Sequence, residues 1–463
     1  MAPQTASGTT NVDTGSRTAA TDLERVSIHT SACSAPFRSR RVAGSAFRSR
    51  LRGVAQAALR HGQSAVGPLG ISGAHFFAAI ALLHYLPSAE FGQFSFVIVV
   101  AGFCLGITNG LLGAPISSMA RLLAVVHNAE LNDCLKFCVA LAICLGSAVF
   151  AIMLLSGVPA GPAALFGIYG ASMSLRLVAR TYAYTTTRVR RVILSDCIYS
   201  VCLVIGLTGL LATHHIDLAT IALVMALGAI LALFPFDFFF SRLLDGLQGV
   251  STTGYGRIWH DMSRWSLLGV VTTELTINAH AYLVTFICGS KAFALLAVGS
   301  LFMRPFSLLA AALPDQERPA MARSIAAGDA LRALKIAREF RTVIGAIWVA
   351  TIIFAATVLI WFPTLVIRKG YDKNDVIVVV VLWGLITAVR GIRAADAVLL
   401  QAAREFRPLA DAGTKSCVVA MAATLILLLI GGPVASLGGI LIGDVVMLAV
   451  IMKAVHAWKL NRA

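Results

Sequence analysis

Charge is what this chain has least of. Of its 463 residues only 13% are charged, while 58% are hydrophobic. Soluble globular proteins carry about 25% charged and roughly 45–50% apolar residues. A water-soluble fold of this length would need a polar surface that the sequence does not supply, so a soluble enzyme and a disordered protein are both excluded. Acidic residues are scarcer still: 22 against 38 Lys and Arg, a net charge of +16. In a soluble protein such an excess would suggest nucleic acid; in a membrane protein it reports orientation, and no nucleic-acid partner is expected. The nine cysteines (33, 104, 134, 138, 144, 197, 202, 288 and 417) show neither C-x-x-C nor Cys/His ligand spacing, so no disulfide scaffold, metal site or cofactor is indicated. All but Cys33 sit in or beside apolar runs and read as small core residues. The stretch Gly413-Thr414-Lys415-Ser416 lacks the upstream glycine of a phosphate loop, which argues against an ATPase.

What is present is a succession of long apolar runs, with a mean hydropathy of +0.82 over the chain. A spanning helix needs about 20 apolar residues. Runs near 64–86, 91–113, 134–156, 160–182, 192–213, 217–240, 265–288, 292–313, 342–362, 375–398, 414–431 and 433–456 make twelve candidate spans. The expected fold is an all-α integral membrane protein of about 12 transmembrane helices in two six-helix bundles. Its expected organisation is a basic tail over 1–60, an N-terminal lobe over 61–242, a linker over 243–263 and a C-terminal lobe over 264–463.

The tail holds nine Arg and no Lys, repeats Phe-Arg-Ser-Arg at 37–40 and 47–50, and has no apolar run large enough to offset its ordering entropy. It reads as a disordered segment attracted to anionic lipid. Ser39-Arg40-Arg41 is only loosely like a twin-arginine signal, with no apolar region or cleavage site in the right place, and a start codon assigned too early would also explain the stretch. Counted over connections, 31 Lys and Arg fall on one side, four (Lys291, Arg368, Lys369, Lys373) on the other, and three (Arg304, Arg390, Arg393) inside spans. Cytoplasmic loops collect Lys and Arg, so both termini are expected in the cytoplasm. External connections are short except 363–374. A segment over Ala326 to Phe340 looks amphipathic and suited to the inner leaflet.

The two halves echo each other. Phe91 follows the first span and Phe293 the seventh, 202 residues on. Arg188-x-x-Arg191 is matched by Arg404-x-x-Arg407 at an offset of 216, and Arg176 by Arg390 at 214. The echo suggests parallel repeats about an axis along the membrane normal, with a site at their interface.

A charged side chain at mid-bilayer costs roughly 2.5–3.5 kcal/mol, so such residues face the bundle interior or a cavity. Span seven carries Glu274, Asn278 and His280, and span eight carries Arg304 followed by Pro305, which weakens the helix. Span ten carries Arg390, Arg393 and Asp396, and span twelve Asp444. In the first half stand His75, Asn109, Arg176 and Arg180. The functional reading is a cationic cavity in which Arg304, Arg390, Arg393, Arg176 and Arg180, with Asn278, hold a phosphate-bearing group, because the guanidinium fork grips phosphate bidentately. Glu274, His280 and Asp444 are candidates for ion coupling. The plainer readings stand beside it. Arg176, Arg180 and Arg393 could snorkel to the interface, Asp396 could pair with Arg393, Asp444 could be a structural pair, Glu274 could pair with Arg304, and His75 could be a hydrogen-bonded helix contact. His214-His215-x-Asp217 reads as a solvated turn, and Asp237, after Pro235, as a boundary residue.

The turn Leu86-Pro87-Ser88-Ala89-Glu90-Phe91-Gly92-Gln93-Phe94 resembles the first-loop motif of polysaccharide biosynthesis membrane proteins, the Wzx-type flippases. These share a superfamily with multidrug-and-toxin extruders and the lipid II flippase. Arg176 to Arg180 with Arg188 to Arg191 resembles their fourth span and basic loop. Phe293 to Pro305, Leu313-Pro314 and Pro319 to Arg323 resemble their seventh-to-eighth span segment. The chain departs from them at His280-Ala281, near where members often carry an acidic residue. The resemblance, over about residues 62–420, implies a transporter that moves an undecaprenyl-diphosphate-linked oligosaccharide across a bacterial inner membrane by alternating access. Polysaccharide polymerase and glycosyltransferases would be its pathway partners. Two alternatives stand beside it: a cation-coupled drug or metabolite antiporter of the same architecture, and a membrane glycan polymerase, ligase or glycosyltransferase, against which the short external loops argue.

Overall fold

Backbone groups in hydrocarbon find no water to pair with, so a chain this apolar crosses a bilayer as helices or as a closed barrel. The computed structural model describes residues 67, 70–119, 129–247, 254–362 and 372–460, and it is helical throughout, with no strand among the described residues. The tail over 1–60 lies outside the described residues.

The helices are α1 (Gly70–Tyr85), α2 (Ser88–Ser117), α3 (Cys134–Leu155), α4 (Ala160–Thr185), α5 (Val189–Thr213), α6 (Leu218–Ser241), α7 (Tyr255–Cys288), α8 (Ser290–Phe302 with Arg304–Ala326), α9 (Ala330–Trp361) and α10 (Lys373–Ala402). A last helical trace, Phe406–Leu460, is 55 residues long. At 1.5 Å per residue a straight rod of that length would reach about 80 Å, well over twice the hydrocarbon thickness. It is instead a hairpin: Gly432 has φ 76° and Pro433 follows. Ser416 Oγ donates to the Gly443 carbonyl at 2.8 Å, and a Cβ added at Gly439 would fall 2.2 Å from the Thr424 nitrogen, so the two arms run antiparallel. The arms are α11 (406–431) and α12 (433–460), which brings the described helices to the twelve read from the sequence.

Helix α8 is bent by 58° between Phe302 and Arg304. Met303 is non-helical (φ −91°, ψ 1°), and Pro305 has no N–H to offer the Leu301 carbonyl. The unpaired break leaves Arg304 as the first residue of the second segment.

The two halves match in detail. In the first, α3 packs on α4 and α4 on α6; in the second, α9 packs on α10 and α10 on α12. Helices α4 and α10 end in the same turn: Thr187 (φ 59°) and Arg404 (φ 62°) are left-handed, and the next amides, Arg188 and Glu405, bond back to Ala183 and Leu400. Phe91 and Phe293 each open a helix by bonding the carbonyl four residues back, at Pro87 and Gly289. The sequence echoes are therefore equivalent structural positions.

Between the halves runs α2, packed on α7 and α8. Where α2 meets α8 the approach is so close that a Cβ at Gly92 would fall 1.9 Å from the Ser290 carbonyl oxygen. Phe96 lies edge-on to Tyr282, Phe286 and Phe293 there. At the other end, which carries the Arg-rich connections and is called the basic end below, α2 and α7 each contain a π-helical turn, Asn109–Gly113 and Trp259–Ser263. The Leu111 carbonyl accepts from both Tyr255 Oη and Ser263 Oγ at 3.0 Å.

One expectation is corrected. Residues from Ala330 to Phe340 are not a separate surface helix. They are the first turns of α9, a 32-residue helix of about 48 Å that overruns a hydrocarbon core of about 30 Å, and Ala333, Ala337 and Phe340 are buried in the bundle.

Candidate functional site

Among the described residues, the candidate ionic residues of the spans include two buried clusters, one further pair (Arg341 with Asp396) and two charges without an ion partner, Glu274 and Arg304. In the first cluster Asp196, on α5, receives Arg176 Nη2 at 2.5 Å and Arg180 Nη2 at 3.1 Å, both from α4; Arg176 and Asp196 are each only 1% exposed. Arg176 and Arg180 lie four apart, one turn of the same helix face, which lets both reach one carboxylate. Arg176 Nε also donates to Ser195 Oγ at 2.8 Å, and Ser195 in turn donates to the Ala232 carbonyl. The Arg176 guanidinium stacks on the Tyr199 ring, 5.1 Å from its centroid. Tyr199 Oη is 3.0 Å from His75 Nε2 and donates to Tyr169 Oη at 3.4 Å. A polar thread thus ties α1, α4, α5 and α6 together. Burial this deep excludes the snorkelling reading of Arg176, and His75 is indeed a hydrogen-bonded helix contact.

The second cluster is built on Asp444 of α12, fully enclosed at 0% exposure. Arg390 Nε meets one of its oxygens at 2.8 Å and Arg393 Nη2 the other at 3.0 Å. Arg393 also contacts Met447 Sδ. Asp444 Oδ1 and Arg390 Nη2 are buried without a well-formed hydrogen bond, so this cluster, two cations on one carboxylate, is neither neutral nor fully satisfied. Arg393 does not pair with Asp396. Arg393 is held by Asp444 of α12, and Asp396 is met instead by Arg341 of α9 at 2.7 Å.

Arg304 and Glu274 do not pair either. Glu274 accepts from Asn278 Nδ2 at 2.9 Å and from Tyr282 Oη at 2.7 Å, all three on one face of α7, and has no cation partner among the described residues. Arg304 is partly buried at the α8 break and has no hydrogen bond or ion pair among the described residues. It lies within electrostatic reach of His75, as Arg176 does. His280 is buried between the Phe293 and Trp383 rings, within reach of Arg390, with its Nδ1 unpartnered.

The five arginines therefore do not form one cluster. Asp444, read from the sequence, is the counter-ion of Arg390 and Arg393; Asp196, the counter-ion of Arg176 and Arg180, and the polar partners Ser195, Tyr199 and Tyr282 were passed over. Asp196 is the lone acid of its span, three residues from Tyr199 on one face, and that spacing is the signal that could have found it. At the opposite end, Asp217 is a helix cap. Its side chain accepts from the Thr220 amide at 2.7 Å, while Thr220 Oγ1 accepts from the Asp217 amide, which accounts for it without a metal. Those hydrogen bonds hold its carboxyl below the usual carboxylate range. No group of three or more His, Cys, Asp or Glu positioned for a metal occurs among the described residues.

No family model matches the chain, and no curated protein matches it. Solved structures do. An inward-facing multidrug resistance MATE family transporter of the MOP superfamily superposes with TM-score 0.64 at 13% identity, covering 86% of this chain and 96% of its own. A Vibrio cholerae MATE transporter gives 0.58 at 12% identity over 88% and 98%. The lipid II flippase MurJ, in an inward closed conformation, gives 0.57 at 15% identity over 83% and 87%. The chain is a multi-pass membrane protein that shares the fold of these transporters and flippases.

Proposed function

We propose that this chain is a flippase that carries an undecaprenyl-diphosphate-linked oligosaccharide across the bacterial inner membrane by alternating access, for surface or exopolysaccharide biosynthesis. Both termini face the cytoplasm, the side that holds the basic end. The observation that carries the reading is the charge balance of the span interiors. Arg176, Arg180, Arg304, Arg390 and Arg393 stand against Asp196, Asp444 and Glu274, an excess of two positive charges, and Arg304 has no counter-ion among the described residues. An uncompensated arginine in a span is costly, and an anionic substrate supplies the missing partner. The matched halves supply the two bodies that rocking requires.

A second reading rests on Glu274. A carboxylate with polar neighbours and no cation partner among the described residues suits a coupled or transported cation, as in a drug or metabolite antiporter. The two readings part in proteoliposomes. Under the first, undecaprenyl-diphosphate-linked oligosaccharide becomes accessible to a glycosidase in the opposite compartment, while a lipophilic cationic dye is not moved. Dye movement with no exposure of the lipid-linked glycan reverses the assignment. The natural partners under the first reading are glycosyltransferases and a polysaccharide polymerase acting on the same lipid carrier.

A further inference from the structure

Helices α9 and α10 run antiparallel, and a groove lies open between them. On α9 its lining follows steps of three and four residues, through Arg341, Gly345, Trp348, Ile352, Ala355 and Leu359, which is one helix face. Across it stand Ile377, Val381, Gly384, Ala388 and Ile392 of α10. The groove holds two adjoining cavities that share Trp348, about 210 Å³ on the side of Arg341 and about 400 Å³ toward Ile360. Trp348 is pinned between them, its indole N–H donating to the Gly384 carbonyl at 3.0 Å. Glycine keeps the notch open: a Cβ at Gly345 would meet nothing within 4 Å. Ile360, Ile377, Val381, Leu385 and Ile392 are exposed along the groove, so its open side faces lipid.

One end of this apolar groove is charged. Counted back from Trp361 at the far end of α9, a hydrocarbon core of about 30 Å takes about 20 residues and ends at Arg341. Arg341 therefore sits at the headgroup level of the leaflet on the basic side. Asp396 holds it there by accepting from Nη2 at 2.7 Å, yet its side chain stays 45% exposed, and a guanidinium carries further N–H donors. Arg338 is exposed one turn nearer the basic end, and Lys459 of α12 lies within electrostatic reach of Asp396. Glu339 lies about 160° round the helix from Arg341. Three cations thus stand against one acid at the mouth, and the rest of the lining is uncharged.

Hydrocarbon already surrounds an acyl chain in the leaflet, so seating one in the groove gains little, and selection must come from the mouth. There the fork of Arg341 matches a phosphate. A headgroup of net negative charge is favoured over a zwitterionic one, whose own cation is repelled by the same three side chains. We propose that the α9–α10 groove binds one anionic phospholipid of the leaflet on the basic side, with its phosphate on Arg341 and one acyl chain laid past Gly345 onto Trp348. This lipid is a resident ligand of the second half and not cargo. Arg304, Arg390 and Arg393 do not line the groove, so the site stands whether the chain moves a glycan or a cation.

The test uses the full chain in phosphatidylcholine nanodiscs and reads Trp348 as the fluorescence difference from Trp348→Phe. Lipids dibrominated in mid-chain serve as quenchers. Phosphatidylglycerol is expected to quench Trp348 at about a fivefold lower mole fraction than phosphatidylcholine, the preference that one basic side chain confers at a membrane surface. Arg341→Gln combined with Asp396→Asn removes the cation without stranding its partner and should bring the two lipids level. Gly345→Leu keeps the charges, fills the notch and should weaken quenching by both. Equal quenching of the wild type by the two lipids, a preference that survives the double variant, or undiminished quenching in Gly345→Leu overturns the site. If unbrominated undecaprenyl phosphate relieves the quenching better than unbrominated phosphatidylglycerol does, the groove belongs to a polyprenyl chain and the phospholipid assignment falls.

Discussion

Removing the Asp196 carboxylate should damage the fold far more than removing the whole pair it belongs to. Asp196 and Arg176 are each 1% exposed, so Asp196→Ala strands a guanidinium left with Ser195 Oγ, the weak acceptor Met173 Sδ and the Tyr199 ring, none of them charged. Breaking a buried pair at one partner costs about 3–5 kcal/mol, whereas replacing both by apolar residues of similar volume is often close to neutral. Arg180, 18% exposed, can turn to solvent when its partner goes and adds little. Asp196→Ala is therefore expected to lose several kcal/mol in detergent unfolding titrations, and the double variant Arg176→Met with Asp196→Leu to recover most of that loss. The coupling between the sites follows from the cycle. Measuring transport by the double variant separates two roles. A stable and active protein makes Arg176 a brace between α4 and α5; a stable and inactive one makes it a substrate ligand. If Asp196→Ala is as stable as the wild type, or the double variant no better than the single, the cluster does not hold the lobe together and the reasoning fails.

Three further outcomes follow from the same geometry. Gly92→Val places a Cβ about 1.9 Å from the Ser290 oxygen, so it should pry α2 from α8 at the end opposite the basic end and cost about 1–3 kcal/mol; unchanged spin-label distances between α2 and α8 would refute the contact. Tyr255→Phe combined with Ser263→Ala removes both donors to the Leu111 carbonyl, so the neighbouring Cys104, buried in the wild type, should become more reactive to maleimide in site-resolved mass spectrometry; equal labelling would mean that the two π-helical turns do not clasp α2 to α7. Asp217 has its carboxyl held low by the Thr220 and Ala219 amides, so its contribution to the start of α6 is present above the usual carboxylate range and fades as pH falls through its depressed value. Asp217→Asn should flatten that acid-side dependence in hydrogen exchange at Thr220, and an unaltered profile would remove Asp217 as its source.

The spans were legible in the sequence because each is a local composition of about 20 residues. Even the α11–α12 hairpin is marked, by Gly432 and Pro433. The repeat was legible because a helix end and its following turn are also local: the left-handed residues Thr187 and Arg404 stand next to the basic pairs that echo each other. The ion pairs were not legible. Whether Asp396 meets Arg393, one turn away, or Arg341, 55 residues away, depends on which helices flank α10 and which acids they bring: Asp444 of α12 takes Arg393 and leaves Asp396 to Arg341 of α9. For the same reason Arg176 could be recognised as intramembrane without its counter-ion on the next helix being seen. That Arg304 has no ion partner among the described residues is a statement about several helices at once, and no spacing in the sequence contains it.

The consequence is a shorter candidate set. Arg176 and Arg180 share Asp196, and Arg390 and Arg393 share Asp444, so each half of the molecule holds two cations on one carboxylate. Charges so tied are poor discriminators between substrates, because an incoming ligand must first compete with a buried carboxylate. Arg304 and Glu274 carry no such tie, so the sign of the cargo should be read from them. Under the flippase reading, Arg304→Gln removes the attraction for the diphosphate and should lower glycan translocation at least tenfold, with a stability change of less than about 1 kcal/mol, since no ion pair is broken. Glu274→Gln keeps the hydrogen bond from Tyr282, so it should leave glycan binding intact and change the dependence of transport on the ion gradient. If the two effects exchange, with Glu274→Gln abolishing transport and Arg304→Gln altering only its rate, the cargo is a cation and the antiporter reading takes the place of the flippase.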